Sequence, residues 1–218
     1  MKNLIILTLV LVSTTTFAQH FELNSKILSA KTIHNIIGDY PKAGSVAEAA
    51  DFKILQGYQS TRTEEDCKFA EQDADLSLTT LFGGEKGILS KDELKKMNAF
   101  LVKAYANVWV NSTSAKKLYK RPRPYEQNFG IKPCIGLEKS YAYPSGHTLM
   151  ARLFARILSK VYPERAEKFL VRSAEYSLNR VIGGVHHPSD LSAAFILADY
   201  LAVEMIDNDD FVNELTSL

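Results

Sequence analysis

Three short segments carry residue types that can handle an anion, and each lies near a predicted helix end. Lys116 is followed seven positions later by Arg123, with Pro124 next to it. Pro144-Ser145-Gly146-His147 precedes an apolar run with helical spacing. Arg180 is followed by His186 six positions on, and by Asp190 four further. Taken singly, each has an ordinary structural reading. A Lys near an Arg-Pro pair is most often a solvated surface patch, and Pro-Ser-Gly-His is most often a turn and a helix cap. A lone His is more often structural than catalytic.

Taken together, the residues supply what phosphoryl transfer requires. That chemistry rests on positioning and on electrostatic stabilisation of the phosphoryl oxygens. Lys116, Arg123 and Arg180 offer three cations without a metal, and guanidinium forks match phosphate oxygens. Gly146 permits close backbone approach, Ser145 adds a hydroxyl, and the following helix turns its N–H groups toward an anion. Two histidines can divide the proton and bond work. Asp190 lies near His186 in sequence and can accept its second N–H, which makes His186 the better nucleophile and leaves His147 as general acid. An imidazole acid with a pKa near 6.5 predicts an acidic to near-neutral optimum.

The elements that must position these groups read as helices. Ser45 with Glu48 suggests a capping box opening a helix from Val46 to about Gln59. Residues Arg62 to Leu81 are charged on one side, with Phe69, Leu76 and Leu81 as core candidates, and Gly83-Gly84 breaks the chain. Ser90 with Glu93 opens a second boxed helix, whose stripe Leu94, Met97, Leu101, Tyr105, Val108 predicts packing as far as about Tyr119, before Pro122 and Pro124. Residues 125–144 read as a loop. Helices are expected over Thr148–Tyr162, from Pro163 to about Val181 through Phe169, Leu170, Ala174 and Leu178, and from about Ser189 to Ile206. No convincing strand alternation occurs, so the expected fold class is all-α, a single-domain helical bundle.

Composition sets the remaining bounds. The 218 residues are 46% hydrophobic and 23% charged, enough for a core without metals. The formal charge of +1 gives no global field toward nucleic acid or anionic membranes. Residues 1–18 read as a cleaved signal peptide: Lys2, then the apolar stretch Leu4–Val12, then a small-residue site ending Thr16-Phe17-Ala18. The apolar run is too short to span about 30 Å of hydrocarbon. Cleavage would remove Lys2 and leave a neutral chain, residues 19–218, as one all-helical domain, soluble in a periplasm or outside the cell. Cys67 and Cys134 could pair there or remain as two buried thiols.

The ordered set Lys116-x6-Arg123-Pro124, Pro144-Ser145-Gly146-His147 and Arg180-x5-His186-x3-Asp190 resembles the type 2 phosphatidic acid phosphatase superfamily, which also holds the vanadium haloperoxidases. Arg121-Pro122 falls outside the register, because Ser114 stands seven residues before Arg121. Within that superfamily the chain looks most like the bacterial class A non-specific acid phosphatases, over roughly residues 50–205. The resemblance implies a helical phosphatase that forms a phosphohistidine on His186, with His147 as acid and Asp190 in support. Phosphate would be bound by Lys116, Arg123, Ser145, Gly146 and Arg180. It further implies no metal and no cofactor, small phosphomonoester substrates over a broad range, nucleotides included, and no stable membrane insertion. A homo-oligomer, a lipid or lipopolysaccharide phosphate as substrate, and vanadium-dependent halide oxidation remain as alternatives. Three departures from the family text stand out. Asn179 replaces a Ser, His187-Pro188 replaces an aromatic and a polar residue, and Gly183 stands where some relatives carry Cys, which leaves Cys67 as the partner open to Cys134.

Overall fold

A computed structural model describes residues 28–84, 87–127 and 129–217; the expected leader, residues 1–18, lies outside them. The described chain forms helices α1 (Ala30–Ile37), α2 (Val46–Thr61), α3 (Glu64–Gln72), α4 (Leu78–Phe82), α5 (Lys91–Tyr119), α6 (Gly146–Val161), α7 (Ala166–Ile182), α8 (Pro188–Ile206) and α9 (Asp209–Thr216). No strand occurs among the described residues.

Short polar side chains start most of these helices. Ser29, Ser45, Thr63, Ser77, Ser90, Ser145 and Asn208 each accept a backbone N–H from the first turn, satisfying a donor that lacks an intrahelical acceptor. At Ser90 both arms of the capping box close. At Ser45 only one does: its hydroxyl accepts from Glu48, but the Glu48 carboxylate takes the N–H of Gly44 at 2.7 Å. The helix expected from Pro163 begins as a single 3₁₀ turn, Pro163–Arg165, before α7. The 62–81 stretch splits into α3 and α4 around a turn at Asp73–Ser77.

Helix α6 is the hub. It packs against α5, α7 and α8, and its residues Leu149, Leu153, Ile157 and Leu158 are fully enclosed. From α5, Met97, Leu101 and Val108 join the same core, as the sequence stripe predicts; Leu94 and Tyr105 are only partly buried. From α8, Ala194, Ala198 and Leu201 contribute, their small side chains letting the helices approach closely.

Helix α7 departs from expectation. Ala174 is exposed and Leu178 is 37% exposed, whereas Arg172, Ser173, Tyr176, Ser177 and Arg180 face inward with Phe169. Apolar spacing therefore held at Phe169 and Leu170 and failed at Ala174 and Leu178, because the rest of the inner surface of α7 is organised by ions. Arg172 donates to both oxygens of Asp73, at 2.5 and 3.0 Å, and to the Leu81 carbonyl at 3.1 Å. Asn179, the residue standing in place of a Ser, donates to Asp73 Oδ2 at 2.7 Å.

Cys67 and Cys134 form a disulfide that ties α3 to the loop after α5. The Cys134 N–H also donates to the Gly183 carbonyl at 3.1 Å. A Cβ at Gly183 would lie 2.5 Å from Ile135 Cδ1, so a larger residue there would have to displace the Ile135 side chain. No helix among the described residues is long and apolar enough to cross a membrane.

Substituting Asp73 with Ala would strand the Arg172 charge in the interior. The expected loss is about 3–5 kcal/mol of unfolding free energy, measured by urea denaturation. A loss under about 1 kcal/mol, the scale of an exposed pair, would show that the pair is hydrated in solution.

Candidate active site

The first turn of α8 organises the cluster. His187 is the N-cap, Pro188 follows at the first helical position, and Asp190 sits at the third. The carboxylate therefore reaches back to the His187 N–H at 2.8 Å, as an ordinary capping acid would. The same oxygen, Oδ2, lies 3.1 Å from His186 Nδ1 and 3.1 Å from His187 Nδ1. The other, Oδ1, accepts from Arg121 at 2.6 Å. Arg121 in turn pairs with Asp51 of α2 at 2.8 Å, and Asp51 accepts from the Ser189 backbone at 3.0 Å. All of these groups are buried or nearly so. Burial alone would raise the Asp190 pKa, but hydrogen bonds from His186 and His187, and the Arg121 charge, hold it well below the usual carboxylate range.

The partners fix the His186 tautomer. A carboxylate can only accept, so Nδ1 carries the hydrogen. An arginine can only donate, so Nε2, which lies 2.9 Å from Arg123 Nη1, presents its lone pair. Burial, reinforced by the Arg123 charge, pushes His186 well below its ordinary pKa despite the opposing pull of Asp190. His186 is therefore a neutral imidazole into the acid range, and its Nε2 electron pair accepts from Arg123.

The cations come from three places. Lys116 is near the end of α5, Arg123 lies just past it, and Arg180 is in the last turn of α7. Arg123 is anchored by donating to the carbonyls of Ser140 at 2.7 Å and Val185 at 2.8 Å. Lys116 donates to the Tyr141 carbonyl. Burial, with the Arg123 charge alongside, lowers its pKa to about 7. Arg180 donates through Nη2 to Glu138 at 2.5 Å, while its buried Nε and Nη1 have no hydrogen-bond partner among the described residues.

Ser145 caps α6, and its N–H donates to the Asp190 carbonyl at 3.1 Å, locking the start of α6 to the first turn of α8. A Cβ added at Gly146 would make only ordinary contacts, 3.4 Å from Ser112 Oγ and 3.8 Å from Lys116 Cε, so this glycine leaves the start of α6 open beside the lysine stem. His147 Nε2 lies 3.1 Å from the Ala74 carbonyl and must donate to it; Nδ1 lies 3.8 Å from Glu138 Oε1. The proton that His147 can gain and release is therefore on Nδ1. Burial and the Arg180 charge lower its pKa to about 4, against the opposing pull of Glu138.

The structure thus brings Lys116, Arg123, Ser145, Gly146, His147, Arg180, His186 and Asp190 into one contiguous cluster. It adds Arg121, Asp51, His187 and Glu138, which the sequence reading did not select. Arg121, set aside on register, lies directly on Asp190. His187, noted only as a departure from relatives, shares the Asp190 oxygen with His186. Gln127 donates to its other nitrogen at 3.1 Å.

An all-helical scaffold that gathers two histidines, three cations and a buried carboxylate at helix ends defines a class of its own, and sequence comparison gives that class a name. The profile of the PAP2 superfamily matches residues 96–207, a span that includes every residue of the three motifs. The chain belongs to the PAP2 superfamily. It is 31% identical over 187 residues to a non-specific acid phosphatase of Providencia stuartii, covering 80% of this chain and 74% of that one. It is 35% identical over 136 residues to a non-specific acid phosphatase of Salmonella typhi, covering 58% of this chain and about half, 54%, of the relative. An acid phosphatase of Zymomonas mobilis is 26% identical over 183 residues, covering 80% of this chain and 69% of the relative. Among solved structures, a transmembrane PAP2-type phosphatidylglycerolphosphate phosphatase from Bacillus subtilis superposes with a TM-score of 0.51 at 20% identity, over 74% of this chain and 85% of that one. That likeness is one of fold.

The His147 pKa carries a prediction with a definite sign. A bound phosphoryl anion adds negative charge beside Arg180 and so raises the His147 pKa above about 4. If this imidazole must be protonated, the alkaline limb of kcat, which reports the complex, falls at higher pH than that of kcat/KM, which reports free enzyme. Coincident limbs in a pH–rate profile would remove His147 from the proton-donor role.

Proposed function

We propose that the protein is an exported acid phosphatase that hydrolyses small phosphomonoesters through a phosphohistidine on His186, without a metal. The observation that carries this reading is the His186 environment. Nδ1–H is held by Asp190 and the Nε2 lone pair lies among cations, which is the arrangement an imidazole needs to attack phosphorus.

Each side chain then has a defined task. Lys116, Arg123 and Arg180 bind the phosphoryl oxygens, and the two unpaired N–H groups of Arg180 are suited to two of them. Ser145 and Gly146 place the start of α6 against the same group. In the first step the Nε2 electron pair forms the N–P bond as the ester P–O bond breaks. His147 passes its Nδ1 proton to the departing alkoxide. In the second step His147 takes a proton from water, whose oxygen attacks phosphorus and releases His186. Asp190 balances the positive charge that builds on the imidazole.

The low His186 pKa explains an acid preference in this scheme. A nucleophile with an ordinary imidazole pKa would be protonated at the pH where His147 is a good acid; burial beside Arg123 keeps His186 neutral there. Substrate breadth follows the named function of the relatives. Export is supported by the leader-like residues 1–18 and by the Cys67–Cys134 disulfide, a bond suited to an oxidising compartment.

The purified protein should hydrolyse a chromogenic phosphomonoester at acidic pH, faster than a dispersed lipid phosphate, and EDTA should leave the rate intact. His186→Ala should reduce kcat by about 10³-fold or more, the range for loss of a covalent nucleophile. Near-normal turnover by that variant, or a large loss of wild-type activity in EDTA, would sink the proposal.

A further inference from the structure

The loop following the disulfide ends in a segment that serves all three cations. Lys116 donates to the Tyr141 carbonyl, Arg123 to the carbonyl and hydroxyl of Ser140, and Arg180 to the Glu138 carboxylate. Glu138 is the charged member. Its oxygens lie 2.5 Å from Arg180, 4.0 Å from Arg123 and 3.8 Å from His147, with Lys116 also close enough to act on it electrostatically. No other carboxylate is paired with Arg180 or His147 among the described residues. Asp190, the other acid of the site, is already committed to His186, His187 and Arg121.

From this geometry we infer that Glu138 is an internal anion of the phosphate site, which a substrate or product phosphate must displace from Arg180 and Arg123 in order to bind. The inference rests on the phosphatase reading above. The loop is built to hold the carboxylate there. The Cys67–Cys134 disulfide, the Cys134 N–H on Gly183, the Gly136 N–H on Glu71 at 2.9 Å, and the Tyr125 hydroxyl on the Glu138 carbonyl at 2.8 Å pin it on both sides. The side chain itself is 26% exposed and so borders solvent. Burial raises the Glu138 pKa, but the positive field of His147, Arg180, Arg123 and Lys116 outweighs burial and lowers it overall, so the carboxylate stays ionised where the enzyme works.

A carboxylate so placed sets the net affinity for phosphate as a difference between two anions on one set of cations. It satisfies buried guanidinium groups that would otherwise lack a counter-charge, and it weakens retention of orthophosphate after hydrolysis. It also makes Arg123 bifunctional. With Glu138 in place, Arg123 spends one N–H on His186 Nε2; a bound phosphate draws the guanidinium onto its own oxygens and frees that lone pair.

The test is orthophosphate binding. Glu138→Gln and Glu138→Ala are compared with wild type by calorimetry and by competitive inhibition of chromogenic ester hydrolysis. Removing the competing charge should tighten orthophosphate by about tenfold or more, the scale of one charge interaction at a partly buried site, with the KM for the ester falling in parallel. Equal or weaker orthophosphate affinity in both variants overturns the inference and leaves Glu138 as a positioning group for Arg180. If wild type neither hydrolyses phosphomonoesters nor binds orthophosphate, the phosphatase reading itself fails, and the inference with it.

Discussion

The buried Asp190 carboxylate is the interaction on which the rest of the site depends. It lies at zero exposure and accepts from a backbone N–H, two imidazoles and a guanidinium. An ionised carboxylate in that position is tolerable only because each lone pair has a donor. The donors come from the two residues just before α8 and from the segment after α5, and Asp51 of α2 holds Arg121 in turn. Three parts of the chain therefore meet on one charge. With Nδ1 committed to Asp190, His186 has one nitrogen left, and that nitrogen faces the cations.

A second buried pair supports the His147 side of the site. Arg172 and Asp73 join the middle of α7 to the turn between α3 and α4. That turn also offers the Ala74 carbonyl to His147 and the Asp75 carbonyl to the Tyr176 hydroxyl, at 3.1 and 3.2 Å. The His147 ring lies near Tyr176, 6.2 Å between centroids. The general-acid candidate is thus oriented by a backbone carbonyl whose position depends on an ion pair one residue away. Helix α7 has a polar inner face because it carries Arg172 for this pair and Arg180 for the histidine cluster, two turns apart on one side.

Much of this was legible in the sequence. The helices α2, α5, α6 and α8 follow from capping residues and apolar spacing, since those elements bury apolar stripes. The eight motif residues, which the structure brings into one cluster, also stood out in the sequence, because an ordinary surface rarely arranges cations and imidazoles in such an order. What escaped lies where polar groups are buried. The α7 stripe failed beyond Leu170 because a buried arginine looks, in sequence, like a solvated one. Arg121, Asp51 and Glu138 escaped because their partners are 69, 70 and 42 residues away, and no local pattern encodes such a contact. His187 gave a faint signal as a departure from relatives. The short helices α1 and α9 went unpredicted, although Ile33 and Ile37 of α1 stand at helical spacing and are both buried.

The central claim is that Asp190 leaves Nε2 as the only nitrogen of His186 able to attack phosphorus. The direct measurement is to quench the enzyme in alkali during turnover of a radiolabelled phosphomonoester and identify the isomer of phosphohistidine by chromatography and peptide mapping. The account predicts label on His186, linked through Nε2, stable to base and lost in acid. Label linked through Nδ1, or carried by any other residue, would contradict it.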